Sequence, residues 1–261
     1  MTATISLNQG IATLTIKTAG SLNSFDTSEF AALHAHFQDL AQDDDVRSVI
    51  LTGEGRAFSA GAALNSFVTD GRIDITQDDL RDRFDTCLNP LIRLMTDFPK
   101  PLVIAINGTV AGGGMGLALS GDIVIAAESA RFHCAFVRML AIAPDLGTCW
   151  HLPNLMGRNK ALPFALLGDG MTAAEASAAG LIFCTVPDEA LADRAFDYAQ
   201  RLAKAPAEAL RHTRRLFSEA STRTMAEALD AERDVNVNLV TQPDFQEGVM
   251  AFLQGREPKF G

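Results

Sequence analysis

Positive charge, paired cysteines and long apolar runs are all scarce in this 261-residue chain. Its 22 Lys and Arg residues face 32 Asp and Glu, a net charge of −10, which argues against nucleic acid as a partner because phosphate backbones bind basic surfaces. The four cysteines, Cys87, Cys134, Cys149 and Cys184, lack the CxxC spacing of zinc or redox sites. No apolar run approaches the ~20 residues that span a bilayer, and no signal peptide is evident. We therefore expect a cytoplasmic protein without membrane association.

The apolar residues that are present predict an α/β fold with a sizeable core. Hydrophobic residues make up 48% of the chain, enough for one large domain or two small ones. Asp26 with Glu29, and Thr76 with Asp79, have the spacing of helix-capping boxes. A hairpin is predicted around residues 8–10, strands at 46–52, 101–106, 122–126 and 181–186, a polar loop at 66–80, and helices at 26–42, 76–97, 190–204, 207–220, 225–240 and 245–253.

Two glycine-rich turns follow predicted strands. Gly53–Leu64 reads GEGRAFSAGAAL after the apolar Val49–Leu51, and Gly112–Gly114 opens a helix after the apolar run that ends at Asn107. Glycines suit places where backbone must approach a ligand, and amides that begin a helix lack intrahelical partners. Two such turns could supply two N–H donors to one oxygen. For the Gly112–Gly114 turn alone, a flexible loop before a tightly packed helix is an equally weighted alternative.

Together these segments resemble the crotonase, or enoyl-CoA hydratase/isomerase, superfamily. Gly55–Ala62 (GRAFSAGA) matches the first oxyanion-hole segment of that family, and Ala105–Gly108 with Gly112–Gly114 matches the second. Further matches in the family's order are Leu22-Asn23-Ser24-Phe25, Ala130-Arg131-Phe132, Pro144-Asp145, Asp244–Val249 and Ala251-Phe252.

The resemblance implies an α/β fold, a crotonase-like spiral of ββα units with a C-terminal helical trimerisation region. Residues 1–187 would form the spiral core with an acyl-CoA site, and residues 188–261 the helices that hold trimers, often paired into hexamers. The substrate would be an acyl-CoA thioester, with coenzyme A as part of the substrate and no other cofactor or metal. The thioester oxygen would accept backbone N–H bonds from Ala62 and Gly113.

The resemblance also shows which acids are missing. Hydratases of the family use two glutamates, and the matching positions here are Gly116 and Phe136. Asp145 matches a position where isomerases of the superfamily carry a catalytic carboxylate, although the spacing from Phe132 to Pro144 is one residue longer than expected. Residues expected to bind CoA or substrate are Leu22, Asn23, Ser24, Ala60, Gly61, Leu64, Phe136, Leu140, Phe252 and Lys259.

The leading interpretation is therefore an isomerase that converts a 3-enoyl-CoA into a 2-enoyl-CoA through an enolate, with Asp145 as the acid/base. Without the family resemblance, Asp145 would be an ordinary turn aspartate after proline. Hydration or other crotonase-fold thioester chemistry is the alternative within the family, and a non-catalytic acyl-CoA-binding member is the alternative outside enzymes. His133 and His151 are expected to be surface or packed histidines, because neither has an evident Ser or Cys partner.

Overall fold

The computed structural model describes residues 3–18 and 22–260, in which strands and helices alternate for most of the chain. The strands are β1 Ala3–Asn8, β2 Ile11–Ile16, β3 Ser24–Phe25, β4 Ser48–Gly53, β5 Ala57–Ser59, β6 Gly61–Ala62, β7 Val68–Thr69, β8 Arg72–Ile73, β9 Leu102–Ile106, β10 Thr109–Ala111, β11 Ile123–Ala127, β12 Arg131–His133, β13 Gly170–Thr172 and β14 Cys184–Val186. The helices are α1 Thr27–Gln42, α2 Gln77–Arg83, α3 Asn89–Thr96, α4 Gly114–Leu119, α5 Thr148–Met156, α6 Arg158–Leu167, α7 Ala173–Ala178, α8 Leu191–Ala203, α9 Ala207–Glu219, α10 Met225–Leu239 and α11 Pro243–Gln254.

A six-stranded sheet in the order β1-β2-β4-β9-β11-β14 is the main layer. The β1–β2 hairpin is antiparallel, and the other neighbours pair in parallel. Successive residues of a strand face opposite sides, so a sheet covered on both faces needs continuous apolar strands. Leu51 and Ile104 accordingly pack into the larger core, whereas Ile50 and Val103 pack into a second core on the other face.

A second, four-stranded sheet in the order β13-β12-β10-β5 lies beside the short β3–β6 pair. Each long central strand, β4, β9 and β11, is followed by a short strand of this second layer, and helices then follow in β9–β10–α4 and β11–β12–α5, whereas β5 is followed by β6. This confirms the predicted strand–strand–helix order. The sequence missed the short strands because three residues are too few to show a period-2 pattern.

Most predicted elements are confirmed. Both capping boxes are present, since the Asp26 and Thr76 side chains accept the N–H of the residue three positions on. The predicted helix at 76–97 is a continuous run of α2, a π-helical turn at Phe84–Leu88, and α3. The region 66–80, predicted as a loop, instead contains the exposed β7–β8 hairpin, because its residues pair locally.

The first C-terminal helix belongs to the core of the sheet. Leu191, Ala195 and Ala199 of α8 are buried in the second core, and the Ser48 hydroxyl donates to the Ala199 carbonyl over 3.0 Å. The predicted boundary between the spiral core and the C-terminal region, at residues 187 and 188, therefore lies just before α8, a helix that covers one face of the sheet. Within the described part of the chain, no helix has both the length and the hydropathy needed to cross a bilayer.

The next helix, α9, is anchored to the sheet by an ion pair. The sequence suggests that Arg214 lies on a solvated helix face, and this is wrong. Its side chain is mostly buried, pairs with the Asp122 carboxylate and also donates to the Phe98 carbonyl. The other Asp122 oxygen accepts the Leu102 N–H over 2.8 Å. Asp122 thus has the structural hydrogen-bonding role that its place between α4 and β11 suggests.

Candidate active site

The two glycine segments meet at a backbone-to-backbone contact. A Cβ added to Gly61 would lie 2.4 Å from the Gly113 nitrogen and 2.9 Å from its Cα, closer than real Cβ atoms approach. Gly61 also has a φ of +79°, in the left-handed region that glycine adopts readily. Only glycine therefore fits at position 61. The contact brings Gly113 beside the residue that precedes Ala62, so both predicted N–H donors lie at one junction.

Buried hydrogen bonds hold the first of these segments in place. The Ser59 hydroxyl donates to the Asn23 carbonyl over 2.8 Å and accepts the Gly61 N–H over 3.1 Å. Beyond Ala62, the Ala63 N–H donates to the Phe25 carbonyl over 2.7 Å. The Ser59 hydroxyl therefore links the Asn23 backbone, just before β3, to the turn that carries Ala62.

Asn107 ties the second segment to the first. Its carboxamide oxygen accepts the Gly53 N–H over 3.0 Å, and its nitrogen donates to the carbonyls of Gly55 over 2.9 Å and Ala57 over 3.2 Å. A side chain that follows β9 thus fixes the loop between β4 and β5. The Asn107 side chain thus fixes the distance between the two turns, because it forms hydrogen bonds with backbone groups of β4, β5 and the loop between them.

Asn23 performs a similar task from the N-terminal side. The residue is buried with a φ of +52°, and its side-chain nitrogen donates to the carbonyls of Glu54 over 3.0 Å and Ala57 over 2.7 Å. The side-chain oxygen accepts the Thr18 N–H over 3.2 Å. The Asn23 carboxamide is therefore committed to the backbone of the site, and it acts by positioning that backbone. Direct contact of Asn23, or of its neighbours Leu22 and Ser24, with substrate stays a prediction.

Asp145 lies beside the second segment, in the turn that precedes α5. Its Oδ1 atom is 3.7 Å from the position of a Cβ on Gly113 and is buried, with no hydrogen-bond partner among the described residues. The extra residue ahead of Pro144 therefore does not separate Asp145 from Gly113. Burial raises the pKa of this carboxyl to about 6, and a hydrogen bond from its own backbone opposes part of that shift. The group is mostly ionised at neutral pH but is a stronger base than a solvated aspartate.

The turn that carries Asp145 has an unusual backbone. Leu146 has a φ of +48° and Gly147 a φ of +79°, and left-handed geometry is disfavoured for a residue with a Cβ. The Thr148 N–H closes the turn by donating to the Asp145 carbonyl over 2.9 Å, and the His151 N–H donates to the Gly147 carbonyl over 2.9 Å. Leu146 itself is buried.

This turn occupies the place that a glutamate would need at position 116. A Cβ added to Gly116 would lie 2.0 Å from the Leu146 carbonyl oxygen and 2.7 Å from its Cβ. The other hydratase glutamate position holds Phe136, which is buried. The site therefore lacks both glutamates, and at position 116 it has no room for any side chain.

The two histidines near the site are packed, as the sequence suggests. His151 is buried, and desolvation lowers its pKa to about 4, so its ring is neutral at pH 7. A Cβ on Gly147 would lie 3.3 Å from the His151 ring. His133 is half-buried, and a Cβ on Gly170 would lie 2.7 Å from its ring. Across residues 3–18 and 22–260, no group of three or more His, Cys, Asp or Glu side chains could hold a metal ion.

The remaining predicted binding residues are spread over several elements. Phe136 and Leu140 begin and end one π-helical turn, with Phe136 buried and Leu140 partly exposed. Leu64 is exposed next to β6.

Phe252 on α11 is 86% exposed, and the Lys259 N–H donates to the Glu247 carboxylate over 2.8 Å. Ala60 lies between Ser59 and Gly61, and its N–H donates to the Leu22 carbonyl over 2.9 Å. Contacts of these residues with CoA or substrate stay predictions.

Comparison with known proteins decides the family. Residues 6–261 match the family model of enoyl-CoA hydratase/isomerase. The chain belongs to the enoyl-CoA hydratase/isomerase family. It is thus an acyl-CoA enzyme with the crotonase fold, and the family resemblance of its sequence motifs is confirmed.

Its relatives within the family include both isomerases and hydratases. The chain is 41% identical to a 1,2-epoxyphenylacetyl-CoA isomerase of Escherichia coli, over 97% of this chain and 96% of the relative. It is 29% identical to a 2,3-dehydroadipyl-CoA hydratase of the same organism, over 98% and 97%. An enoyl-CoA hydratase structure from Bacillus anthracis superposes with a TM-score of 0.90 at 27% identity and covers 100% of this chain and 99% of that one. Family membership alone therefore leaves the reaction to the residues of the site.

The sequence does not predict a role in this site for Leu146. Leu146 contacts both Gly113 and Gly116, yet it is an apolar residue in a short turn and carries no chemical group. The local signal in the sequence is its place between an aspartate and a glycine in the Pro144–Gly147 turn.

The tight fit at Gly116 predicts that Gly116→Ala is destabilising. Its Cβ would meet the backbone of Leu146, which cannot rotate away as a side chain can, so we expect a loss of about 1–3 kcal/mol. Urea unfolding at fixed protein concentration measures it. Gly248→Ala in α11 is the matched control, because its Cβ would meet only the Phe260 ring at 3.8 Å; it should be neutral or stabilising by up to about 1 kcal/mol. Equal stability of the two variants would contradict the tight fit.

Proposed function

We propose that this protein is an acyl-CoA isomerase that converts 3-enoyl-CoA into 2-enoyl-CoA with Asp145 as its single acid/base. The observation that carries the proposal is the Asp145 Oδ1 atom, which is buried without a hydrogen-bond partner beside Gly113, in a site without room for a second acid at Gly116. An allylic shift needs one group that removes a proton and returns it elsewhere. Hydration needs groups that also orient and activate a water molecule.

In the proposed mechanism the ionised Asp145 carboxylate removes a proton from C2 of the substrate. The electron pair moves into the thioester, and the oxygen of the resulting dienolate accepts N–H bonds from Ala62 and Gly113. Asp145 then returns its proton to C4, which leaves the double bond between C2 and C3. Rigid backbone donors need little reorganisation as charge develops, and losing one such donor typically raises a barrier by about 3 kcal/mol.

Isomerisation of 1,2-epoxyphenylacetyl-CoA is a second candidate function. The observation that favours it is the 41% identity, over 97% of this chain, with the Escherichia coli enzyme of that name. This candidate uses the same thioester site, but it differs in the acyl group that the pocket admits and in the reaction, because its substrate carries an epoxide in place of the 3,4 double bond. The two substrates are therefore best tested side by side.

We also propose that the chain forms a homotrimer or a hexamer through its C-terminal helices. Several large apolar side chains on these helices are mostly exposed in the single chain, and association of subunits through these helices would remove them from water. They include Phe217, Met225, Leu229, Val237, Phe252 and Leu253. A cytoplasmic location and the lack of a cofactor other than the CoA of the substrate stay predictions.

The first test mixes the purified protein with a 3-enoyl-CoA and follows the absorbance of the conjugated 2-enoyl thioester. We expect rapid conjugation without 3-hydroxyacyl-CoA, and Asp145→Asn should lower kcat by about 10²–10⁴-fold, because the acid/base is lost. Asp169→Asn is the control, since Asp169 is exposed and its nearest cation, Arg138, is 3.8 Å away.

Two results would contradict the Asp145 mechanism: no conjugation despite saturable acyl-CoA binding, or full activity of Asp145→Asn. A parallel assay with 1,2-epoxyphenylacetyl-CoA separates the candidates. Turnover of the epoxide alone would select the second function and reject the first.

The pH dependence follows from the burial of Asp145. The reaction needs the ionised carboxylate, and its pKa is raised to about 6. We therefore expect kcat/KM, which follows the pKa of the free enzyme, to be flat near pH 8 and to fall about tenfold per unit below pH 6. Substrate that displaces further water from Asp145 would move the midpoint of the kcat profile above that of kcat/KM. A kcat/KM that stays constant down to about pH 4.5 would mean that the base is a solvated carboxyl and would exclude this role for Asp145.

The oligomer is tested by light scattering coupled to size-exclusion chromatography. We expect a mass three or six times that of the 27.9 kDa chain, because association buries the apolar side chains of α9–α11. A species of 27.9 kDa at micromolar concentration would overturn this proposal.

A further inference from the structure

Leu146 contacts both glycines on the site-facing side of α4. Its Cδ1 atom would lie 2.8 Å from a Cβ on Gly113, and its carbonyl oxygen would lie 2.0 Å from a Cβ on Gly116. Positions 113 and 116 are three residues apart, so they lie on one face of the helical turn. The Leu146 side chain thus packs against Gly113, at the start of α4, and the Leu146 backbone packs against Gly116, one turn further along the helix.

The backbone of Leu146 shows that this arrangement is imposed by its surroundings. Leucine rarely has a φ of +48°, and strained geometry of this kind persists only where contacts hold it. Here the contacts are the burial of the leucine side chain, which is 5% exposed, and the turn closed by the Thr148 N–H on the Asp145 carbonyl.

We propose that Leu146 is a positioning residue that holds the Asp145 carboxyl beside Gly113 and keeps water from it. The inference rests on the proposed function, in which that carboxyl carries a proton from C2 to C4. Asp145 Oδ1 is buried. The Leu146 side chain lies on the same side of Gly113, since its Cδ1 atom is 2.8 Å and Asp145 Oδ1 is 3.7 Å from the position of a Cβ on Gly113. A proton on a carboxyl shielded in this way returns to the substrate before it exchanges with solvent.

The test compares Leu146→Gly with Leu146→Met. Glycine accepts a φ of +48° without strain, so the turn can form while the side chain that meets Gly113 is lost. Methionine retains an apolar side chain of similar volume, although it is unbranched where leucine is branched. For Leu146→Gly we expect kcat to fall by about 10²-fold, because small displacements of a reacting group have effects of that size. KM should stay within about threefold, and Leu146→Met should recover kcat to within about threefold.

The second readout is the fate of the transferred proton. In D₂O, the fraction of product with deuterium at C4 reports exchange between Asp145 and solvent during turnover. We expect low incorporation in the wild type and in Leu146→Met, and a clear rise in Leu146→Gly. Leu40→Ala is the control for lost core packing, because Leu40 is buried in α1; it should lower the midpoint of urea unfolding without changing kcat or deuterium incorporation.

Three results would overturn the inference: an unchanged kcat in Leu146→Gly, a change in KM alone, or no recovery by methionine. A lower kcat with unchanged deuterium incorporation would overturn its water-excluding part. If the wild type isomerises neither substrate, the proposed function fails separately, and crystal structures of the two variants then decide the positioning role. Asp145 in place beside Gly113 in both structures would reject it, and Asp145 displaced only in Leu146→Gly would support it.

Discussion

The rest of the site depends on the contact between the backbones of Gly61 and Gly113. No side chain fits between them, so the two turns approach as closely as peptide groups allow. The side-chain amides of Asn23 and Asn107 and the hydroxyl of Ser59 hold the turns at this distance by bonding to backbone groups. Because the parallel strands β4 and β9 end side by side, the turns that follow them start as neighbours. The large sheet thus places the contact, and the small polar side chains fix it.

Backbone groups and side chains have different chemical capacities in such a site. Backbone groups can hold a developing negative charge but cannot move a proton, so a titratable side chain must stand beside them. Asp145 is brought there by the left-handed turn at Leu146 and Gly147. The burial that results raises its pKa to about 6. The fit of this turn against α4 therefore determines both the position of the Asp145 carboxyl and its raised pKa.

The sequence predicts well what depends on local periodicity. The buried strands, the capping boxes at Asp26 and Thr76, and the C-terminal helices lie within a few residues of their expected bounds. The sequence predicts a role for Asp145 only through the family resemblance of the motifs on both sides of it. The ion pair of Arg214 with Asp122 joins residues 92 positions apart, and no local pattern encodes it. The sequence does not predict the left-handed φ of Leu146 either, because tertiary contacts impose it on a residue with no local preference for it.

The glycine at position 116 and the turn at Leu146 are best understood as one structural change. A glutamate at 116 and the Leu146 carbonyl would compete for the same space, so a chain with this turn cannot also carry that acid. The turn that excludes the glutamate also delivers Asp145 to Gly113. A glutamate introduced at position 116 alone would therefore meet the Leu146 carbonyl and disturb the fit of the turn. A side chain can be accommodated at position 116 only if the turn before α5 is rebuilt together with the first turn of α4.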